Sequence, residues 1–186
     1  ASKVILDLRG NGGGLLREAV NIVNLFTPKG ETVVETKGRM ADWDKTYKTL
    51  SEPLDADIRL VVLTDTGSAS ASEIVSGALQ DLDRAVVMGQ RTFGKGLVQQ
   101  TRDLLYNSKL KVTVAKYYIP SGRCIQKLDY AQHDSTGHAV VRADSSLRGF
   151  KTRNGRPVID GRGILPDVLV EEPEMPKVVV GLFAGD

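Results

Sequence analysis

Apolar residues in the first half of the chain come in short continuous blocks, and a helical period follows two of them. The blocks at 4–8, 58–64 and 84–89 are rich in valine, isoleucine and leucine, which is typical of buried strands. After the first block, and again after residue 73, apolar residues recur with the spacing of a helix. They are Leu15, Leu16, Ala19, Val20, Ile22, Val23 and Phe26, and then Ile74, Ala78, Leu79 and Leu82. This order predicts an α/β fold with a layered core and a largely parallel sheet flanked by helices.

The rest of the chain is more polar. Alternating segments at about 98–103 and 110–117 predict a β-hairpin, and 32–36 predicts a further strand. The polar stretch 38–56 predicts a surface excursion, and 129–162 predicts a long ordered loop or an insertion. An apolar pattern returns at 163–170, and the tail beyond Pro173 receives no assignment.

Composition narrows the function classes. The sequence has 186 residues, 41% hydrophobic and 26% charged, with a formal net charge of +2, which suits one domain with a sizeable core. It contains no long lysine or arginine stripe, which argues against a dedicated nucleic-acid binder. A single cysteine, Cys124, excludes a disulfide framework, and the placement of His133 and His138 in a polar stretch argues against a metal site.

The sequence shows no signal peptide and no apolar run long enough to span a membrane. It opens almost directly on the first buried block. We therefore expect it to be one domain of a larger protein.

A run of small residues at 66–73 separates the second apolar block from the second helix. It places Ser70 at the carboxyl end of a strand and at the start of a helix, where free backbone amides can receive an anion. Ser70 and Glu73 also have the spacing of a capping box, which is the commoner role of such a pair. Ser70 becomes a candidate nucleophile only if another residue activates it.

Two glycine-rich segments follow strands. In the segment at 9–14, the third glycine of a dinucleotide-binding turn is replaced by Leu15. It is therefore either a tight strand-to-helix turn or a loop that offers an amide to an oxyanion. The segment at 89–96 has the start of a phosphate-binding loop, but Gly96 stands where a magnesium-binding serine or threonine is needed.

Lys95, in the second segment, is also a candidate general base. Burial would favour its neutral amine, which can take a proton from a serine hydroxyl as in serine–lysine catalysis. Gln99, four residues on, could orient the amine. An ordinary surface lysine is the commoner fate of such a residue.

Taken in order, these segments resemble the carboxyl-terminal processing proteases, also called tail-specific proteases. The resemblance rests on 7–14, 67–74, Gly94-Lys95-Gly96 with Gln99, 116–123 and 163–168, so it extends over nearly the whole chain. It implies that Ser70 is the nucleophile, Lys95 the general base and Gln99 the residue that positions the lysine. It also implies an oxyanion hole formed by the amide of Ala71 and a glycine, Gly12 or Gly13.

The resemblance further implies a core of the ClpP and crotonase type that needs no metal and no cofactor. Substrates would be proteins or peptides bound by their carboxyl-terminal region, with no nucleic acid, and the protein could be a homo-oligomer. The expected setting is extracytoplasmic, in a bacterial periplasm or cell envelope.

One departure separates this chain from the usual pattern. Family members usually carry a PDZ domain ahead of the segment at 9–14, and no part of this sequence resembles it. We therefore take 1–186 as a catalytic core without its PDZ and N-terminal regions. Two alternatives stay open: a non-catalytic core that binds peptides, and a phosphate or nucleotide binder at 89–95.

Overall fold

The computed structural model describes residues 1–171, so the tail beyond Pro173 lies outside the described residues. The strands are β1 (Lys3–Asp7), β2 (Thr32–Gly38), β3 (Lys45–Lys48), β4 (Arg59–Thr64), β5 (Val86–Gly89), β6 (Leu97–Asp103), β7 (Lys109–Tyr118), β8 (Leu128–His133), β9 (Ala139–Val141), β10 (Gly149–Lys151), β11 (Pro157–Ile159) and β12 (Val168–Leu169). The α-helices are α1 (Leu16–Asn24) and α2 (Ala71–Asp81), and short 3₁₀ turns lie at Ala41–Trp43 and Asp144–Ser146.

A parallel sheet forms from the three predicted apolar blocks and β12, in the order β1-β4-β5-β12. Strands β4 and β5 occupy its centre, with Val62 and Val87 fully buried. At the end of β5, Gly89 adopts φ +119°, and a Cβ there would lie 2.1 Å from the carbonyl oxygen of Thr64. Only glycine permits this approach, which turns the chain away from the sheet and toward the lysine segment.

A second sheet of equal size is antiparallel, in the order β3-β2-β7-β6. The predicted hairpin is confirmed as β6 and β7. The prediction of a largely parallel sheet is correct only for the first sheet, because β2 pairs with the hairpin and with β3. Strand β3 comes from the polar excursion, where the hydroxyl of Thr36 and the carboxylate of Asp44 bind backbone groups around the turn. The fold is therefore mixed α/β.

The prediction of a long loop at 129–162 is wrong. This region contains two small antiparallel pairs, β8 with β9 and β10 with β11. Their turns include Gly137 and Gly155, both at positive φ. These strands are short and mostly exposed, so they lack the apolar alternation that would have revealed them.

Helix α2 lies in the core, and all eleven of its residues are buried. It packs against α1 and against both sheets through β2 and β5. A Cβ on Gly77 would come within 2.7 Å of the side chains of Ile119 and Ile164, so the glycine allows close packing here. The start of α2 is consequently held in a fixed position between the two sheets.

Candidate active site

Ser70 lies at the tight turn between β4 and α2. It has φ 56° and ψ −114°, a backbone conformation that costs a non-glycine residue about 1–3 kcal/mol. The residues before it are held in place, because the Ser68 hydroxyl donates a hydrogen bond to the carbonyl of Leu8 at 2.8 Å. Ser70 itself is only half-buried. The turn therefore holds the backbone of Ser70 in a fixed position.

The carboxylate of Glu73 joins the serine turn to the lysine segment. One of its oxygens accepts the backbone amides of Ser70 at 2.9 Å and Lys95 at 2.8 Å. The other accepts the hydroxyl of Thr92 at 2.6 Å and the amide of Gly94 at 2.7 Å. The glutamate half of the predicted capping box is thus present, and the same carboxylate also organises a segment about twenty residues away.

Glu73 is fully buried, and burial raises the pKa of its carboxyl above the ordinary value. The hydrogen bonds from Thr92, Lys95, Gly94 and Ser70 act in the opposite direction. All four donors are neutral groups. The ammonium group of Lys95 is not among them, although its backbone amide is.

The lysine segment does not form a phosphate cradle. Gly94, at φ +91°, and Lys95 direct their amides to Glu73, and the amide of Gly96 donates to the side-chain oxygen of Gln126 at 2.8 Å. A phosphate loop leads into a helix, whereas this segment leads into β6. The amides that would bind an anion are therefore occupied by the protein itself.

Lys95 is half-buried. Gln99 lies four residues on in β6, where its exposed side chain lines a cavity of about 1060 Å³ together with Lys116 and Tyr118. A contact of Gln99 with the lysine amine stays a prediction. The position of Gln99 shows that this cavity opens beside the lysine segment.

The glycine-rich segment at 9–14 lies directly against the serine turn. A Cβ on Gly13 would be 2.6 Å from the carbonyl oxygen of Ala69, 2.8 Å from the amide nitrogen of Ala71 and 2.9 Å from Cβ of Ser70. Gly13 also has φ +100°, whereas Gly12 faces open space. Asn11 fastens the two segments, since its carbonyl accepts the amide of Ala69 at 3.0 Å.

The amide of Ala71 lies at the start of α2, next to Gly13. The neighbouring amides are bound: Ser72 donates to the carbonyl of Ala69, and Glu73 donates to that of Ser70. As the first residue of α2, Ala71 has no carbonyl one turn earlier to accept its amide. This amide and the backbone at Gly13 lie side by side next to Ser70.

Asp65 ties the glycine segment to the serine turn from below. Its carboxylate accepts the amides of Gly10, Gly67 and Ser68, all at 2.9–3.0 Å. Partial burial raises the pKa of Asp65, but the hydrogen bonds lower it by more, so the net shift is downward.

Other candidates lie elsewhere. His133 and His138 are exposed on the β8–β9 pair, and His138 Nδ1 lies 2.7 Å from the hydroxyl of Thr136. Within residues 1–171, no group of three or more histidine, cysteine, aspartate or glutamate side chains is placed to hold a metal ion. No helix in that range is long and apolar enough to cross a membrane.

Sequence reasoning missed three organising residues. From the sequence, Glu73 is predicted only as a helix cap, and no role is predicted for Asp65 or Thr92. Each acts across segments that are distant in sequence, Glu73 to Thr92 over 19 residues and Asp65 to Gly10 over 55. The only signal in the sequence is that each is a polar residue within, or next to, one of the motif segments.

The profile of Peptidase family S41 matches residues 1–134, well over half of the chain. The chain belongs to this family. The family resemblance inferred from the order of the motifs is thereby confirmed.

Similar proteins are proteases by name. The chain is 48% identical over 125 residues to a probable CtpA-like serine protease of Staphylococcus aureus, covering 66% of this chain and 25% of that protein. It is 39% identical over 153 residues to a carboxyl-terminal-processing protease of Picosynechococcus sp., covering 80% of this chain and 36% of that protein.

A solved structure gives the same result for the fold. The photosystem II D1 C-terminal processing protease superposes with a TM-score of 0.67 at 30% identity, covering 98% of this chain and 38% of that one. The chain thus spans between 25% and 38% of the length of these three proteins.

Proposed function

We propose that this chain is the catalytic core of a serine endopeptidase that cleaves protein substrates near their carboxyl termini. Ser70 is the nucleophile, Lys95 the general base, and Gln99 orients the lysine amine. The amide of Ala71 and the glycine segment at Gly12 and Gly13 form the oxyanion hole, with Gly13 favoured because it abuts Ala71 and Ser70.

The single observation that carries this proposal is the shared carboxylate of Glu73. It binds the backbone of Ser70 and the backbone of Lys95 on one oxygen, so the two residues lie on adjacent segments. Because Glu73 uses the lysine amide and not its ammonium group, the side chain of Lys95 is left for chemistry. This arrangement gives no support to the alternative of a phosphate or nucleotide binder at 89–95.

The reaction follows from these positions. Lys95, as the general base, takes the proton from Ser70 Oγ as this oxygen bonds to the substrate carbonyl carbon. The carbonyl oxygen becomes negative and is stabilised by preorganised amides. When the C–N bond breaks, the leaving amine receives the proton from Lys95. A water molecule, deprotonated by the Lys95 amine, then attacks the acyl carbon. The bond to Ser70 Oγ breaks, the carboxylic acid product leaves, and Lys95 returns the proton to that oxygen.

Substrate class and setting follow the names of the relatives. Two of them are carboxyl-terminal processing proteases, which supports protein substrates processed at that end. We extend the proposal to an extracytoplasmic location, such as a bacterial periplasm or cell envelope. Homo-oligomerisation is a further part of the proposal.

The test is hydrolysis of an internally quenched peptide with a free carboxyl terminus. Ser70→Ala and Lys95→Ala should each abolish turnover, and Gln99→Ala should lower kcat. His133→Ala and His138→Ala serve as controls and should retain full rate. Full activity of Lys95→Ala would rule out the dyad.

The same assay separates the non-catalytic alternative. A peptide-binding core without chemistry would bind the peptide with equal affinity in Ser70→Ala and in the unmodified chain, and neither would cleave it. Cleavage that requires Ser70 excludes this alternative.

A further inference from the structure

The β6–β7 hairpin extends from the body of the protein as an exposed arm. Every residue from 101 to 113 is exposed, so both faces of the hairpin are open over this length. We call this segment the hairpin arm. Strand β7 pairs with β2 only through Ala115 to Tyr118, so the arm lies beyond the last of these pairings. A two-stranded hairpin that stands alone is only marginally stable in water, so a surface that covers the arm would stabilise it.

The tip of the arm is apolar. Leu105 and Tyr106 are 80% and 98% exposed, and Leu104 beside them is exposed as well. Tyr106 and Asn107 have φ 58° and 56°, as in a two-residue hairpin turn in which both central residues have positive φ. Asparagine is favoured in such a turn, whereas a tyrosine there is strained. The turn therefore does not require Tyr106, and its exposed ring has no packing role among the described residues.

One face of the arm continues the apolar surface of the tip. Leu110 and Val112 alternate with Lys109 and Lys111 along β7, so the apolar and the charged side chains lie on opposite faces. Leu110 and Val112 are both exposed. Arg102 lies opposite Leu110 in the β6–β7 register, so the aliphatic stem of the arginine shares the apolar face. The arm is therefore amphipathic, with an apolar tip.

The arm also carries the net charge of the chain. It contains three basic residues, Arg102, Lys109 and Lys111, and one acidic residue, Asp103. Outside the arm remain 22 of the 25 basic residues and 22 of the 23 acidic ones, so the rest of the sequence has no formal net charge. Asp103 pairs with Lys109 at 2.8 Å, whereas Arg102 and Lys111 have no salt-bridge partner within residues 1–171. Two cations beside the apolar tip are therefore available to an anionic partner.

We propose that the hairpin arm is a membrane-binding element that inserts Leu105 and Tyr106 into the surface of an anionic lipid bilayer. The boundary of the acyl chains receives the apolar tip, where tyrosine is favoured, and the headgroup phosphates attract the cations. Lys109 and Lys111 follow Tyr106 by three and five residues, and a strand rises about 3.4 Å per residue. Insertion of the tip by about 5–10 Å therefore brings both lysines to the level of the headgroups.

Charge complementarity favours a bilayer over a second copy of this chain. The sequence outside the arm is neutral overall, so a second copy offers no excess of negative charge to the arm. An anionic bilayer offers both an apolar layer for the tip and many negative groups for the flexible cations around it.

Membrane binding through the arm would hold the proposed active site near the bilayer. Strand β6 begins two residues after Lys95 and continues into the arm. Lys95 precedes Leu105 by ten residues, so their Cα atoms are separated by at most about 34 Å in an extended strand. The inference goes beyond the proposed function and does not depend on it, because neither Ser70 nor Lys95 takes part in lipid binding.

Vesicle binding tests this inference without reference to catalysis. The chain is mixed with sedimentable vesicles, either of phosphatidylcholine alone or of equimolar phosphatidylcholine and phosphatidylglycerol, and the bound fraction is measured as lipid is titrated. We expect the anionic vesicles to bind the chain at least about tenfold more tightly than the neutral ones, because the cations interact only with the anionic surface. This binding should weaken as the salt concentration rises.

Matched variants separate the arm from other exposed positions. Leu105→Ser should weaken binding to the anionic vesicles by about tenfold, because it removes one inserted aliphatic side chain. Leu54→Ser, at 82% exposure against 80% for Leu105, lies outside the arm and should bind normally. Lys111→Gln should weaken the same binding by about fivefold, whereas Lys48→Gln should not. All four positions are exposed, so the variants should fold.

Several results would overturn the proposal. These are no binding to the anionic vesicles, equal binding to both kinds of vesicle, or equal weakening by Leu105→Ser and Leu54→Ser. A dimer in lipid-free solution that Leu105→Ser dissociates, measured by sedimentation velocity, would also overturn it, because the tip would then contact a second copy. Failure of the proposed function would look different, since a chain in which Ser70 cleaves no peptide would still bind the vesicles through the arm.

Discussion

The two ends of α2 each bury a carboxylate, but they satisfy it in different ways. Glu73, in the first turn, accepts a hydroxyl and three backbone amides and has no cation among its hydrogen-bond partners. Asp81, in the last turn, pairs with the guanidinium of Arg123 at 2.8 Å, and both side chains are at most 1% exposed. Arg123 also donates to the side-chain oxygen of Gln80.

The difference separates the functional end of the helix, named for the active site that we propose there, from a structural end. Burial raises the pKa of both carboxyls, and only at Asp81 does a cation oppose this. In an ion pair the cation stays protonated, and its N–H groups are already hydrogen-bonded to the carboxylate. By using backbone amides, Glu73 fixes the position of Lys95 without binding its amine. This is the condition that a lysine general base requires.

The largest expected effect is at the structural end. Asp81→Asn leaves Arg123 buried without an anion, so we expect a loss of about 3–5 kcal/mol in the free energy of unfolding. Urea denaturation measures it. The control is Asp103→Asn, which removes the exposed pair with Lys109 and should cost less than about 1 kcal/mol. Equal losses in the two variants would remove the structural role given to Asp81.

The next effect is at the functional end. Glu73→Gln replaces one acceptor oxygen by an amide that faces N–H donors, so the backbones of Ser70 and Lys95 should shift. We expect turnover to fall by about a hundredfold, with only about 1–3 kcal/mol lost in stability. Peptide hydrolysis and urea denaturation measure the two quantities. If the loss of turnover is no larger than the loss of stability accounts for, Glu73 has no separate positioning role.

The glycine segment gives a third comparison within the functional end. Gly13→Ala places a methyl group 2.6 Å from the carbonyl of Ala69 at a φ of +100°, so it should displace the segment from Ser70. Gly12→Ala meets open space and should lower kcat much less. The measurement is kcat for the two variants, and a greater loss in Gly12→Ala would transfer the oxyanion role to Gly12.

The smallest effect concerns pH. The pKa of Asp65 is lowered in the folded state, so its stabilising contribution is present above the ordinary carboxyl pKa of about 4 and is lost as pH falls through the lower folded value. Asp65→Asn should therefore cost about 1–2 kcal/mol at pH 7 and less with increasing acidity. Urea denaturation of both proteins from pH 7 to 3, with exposed Asp42→Asn as control, measures this. A cost that is constant over this range would refute the linkage.

The sequence allowed the parallel sheet and both helices to be predicted because their apolar residues are continuous or periodic. Val62 and Val87 lie in strands that read as uninterrupted apolar blocks. The β8–β11 strands were missed because they are short and exposed, so no apolar pattern distinguishes them from a loop.

The candidate site was predictable to a lesser degree. Ser70, Lys95 and the glycines stand in recognisable motifs. No motif reveals that the carboxylate of Glu73 links the backbones of Ser70 and Lys95. Glu73 meets Thr92 only because the chain crosses β5 and turns back at Gly89. Such a meeting depends on tertiary packing, which local spacing does not encode.

The central claim is that Lys95 activates Ser70, and covalent labelling tests it most directly. The chain is treated with a serine-reactive fluorophosphonate, and the modified residue and its rate are determined by mass spectrometry for the unmodified protein and for Lys95→Met. The account predicts labelling at Ser70 that is lost in Lys95→Met, while Lys116→Met labels normally. Labelling of Ser70 at an unchanged rate in Lys95→Met, or no labelling of Ser70 in the unmodified chain, would contradict it.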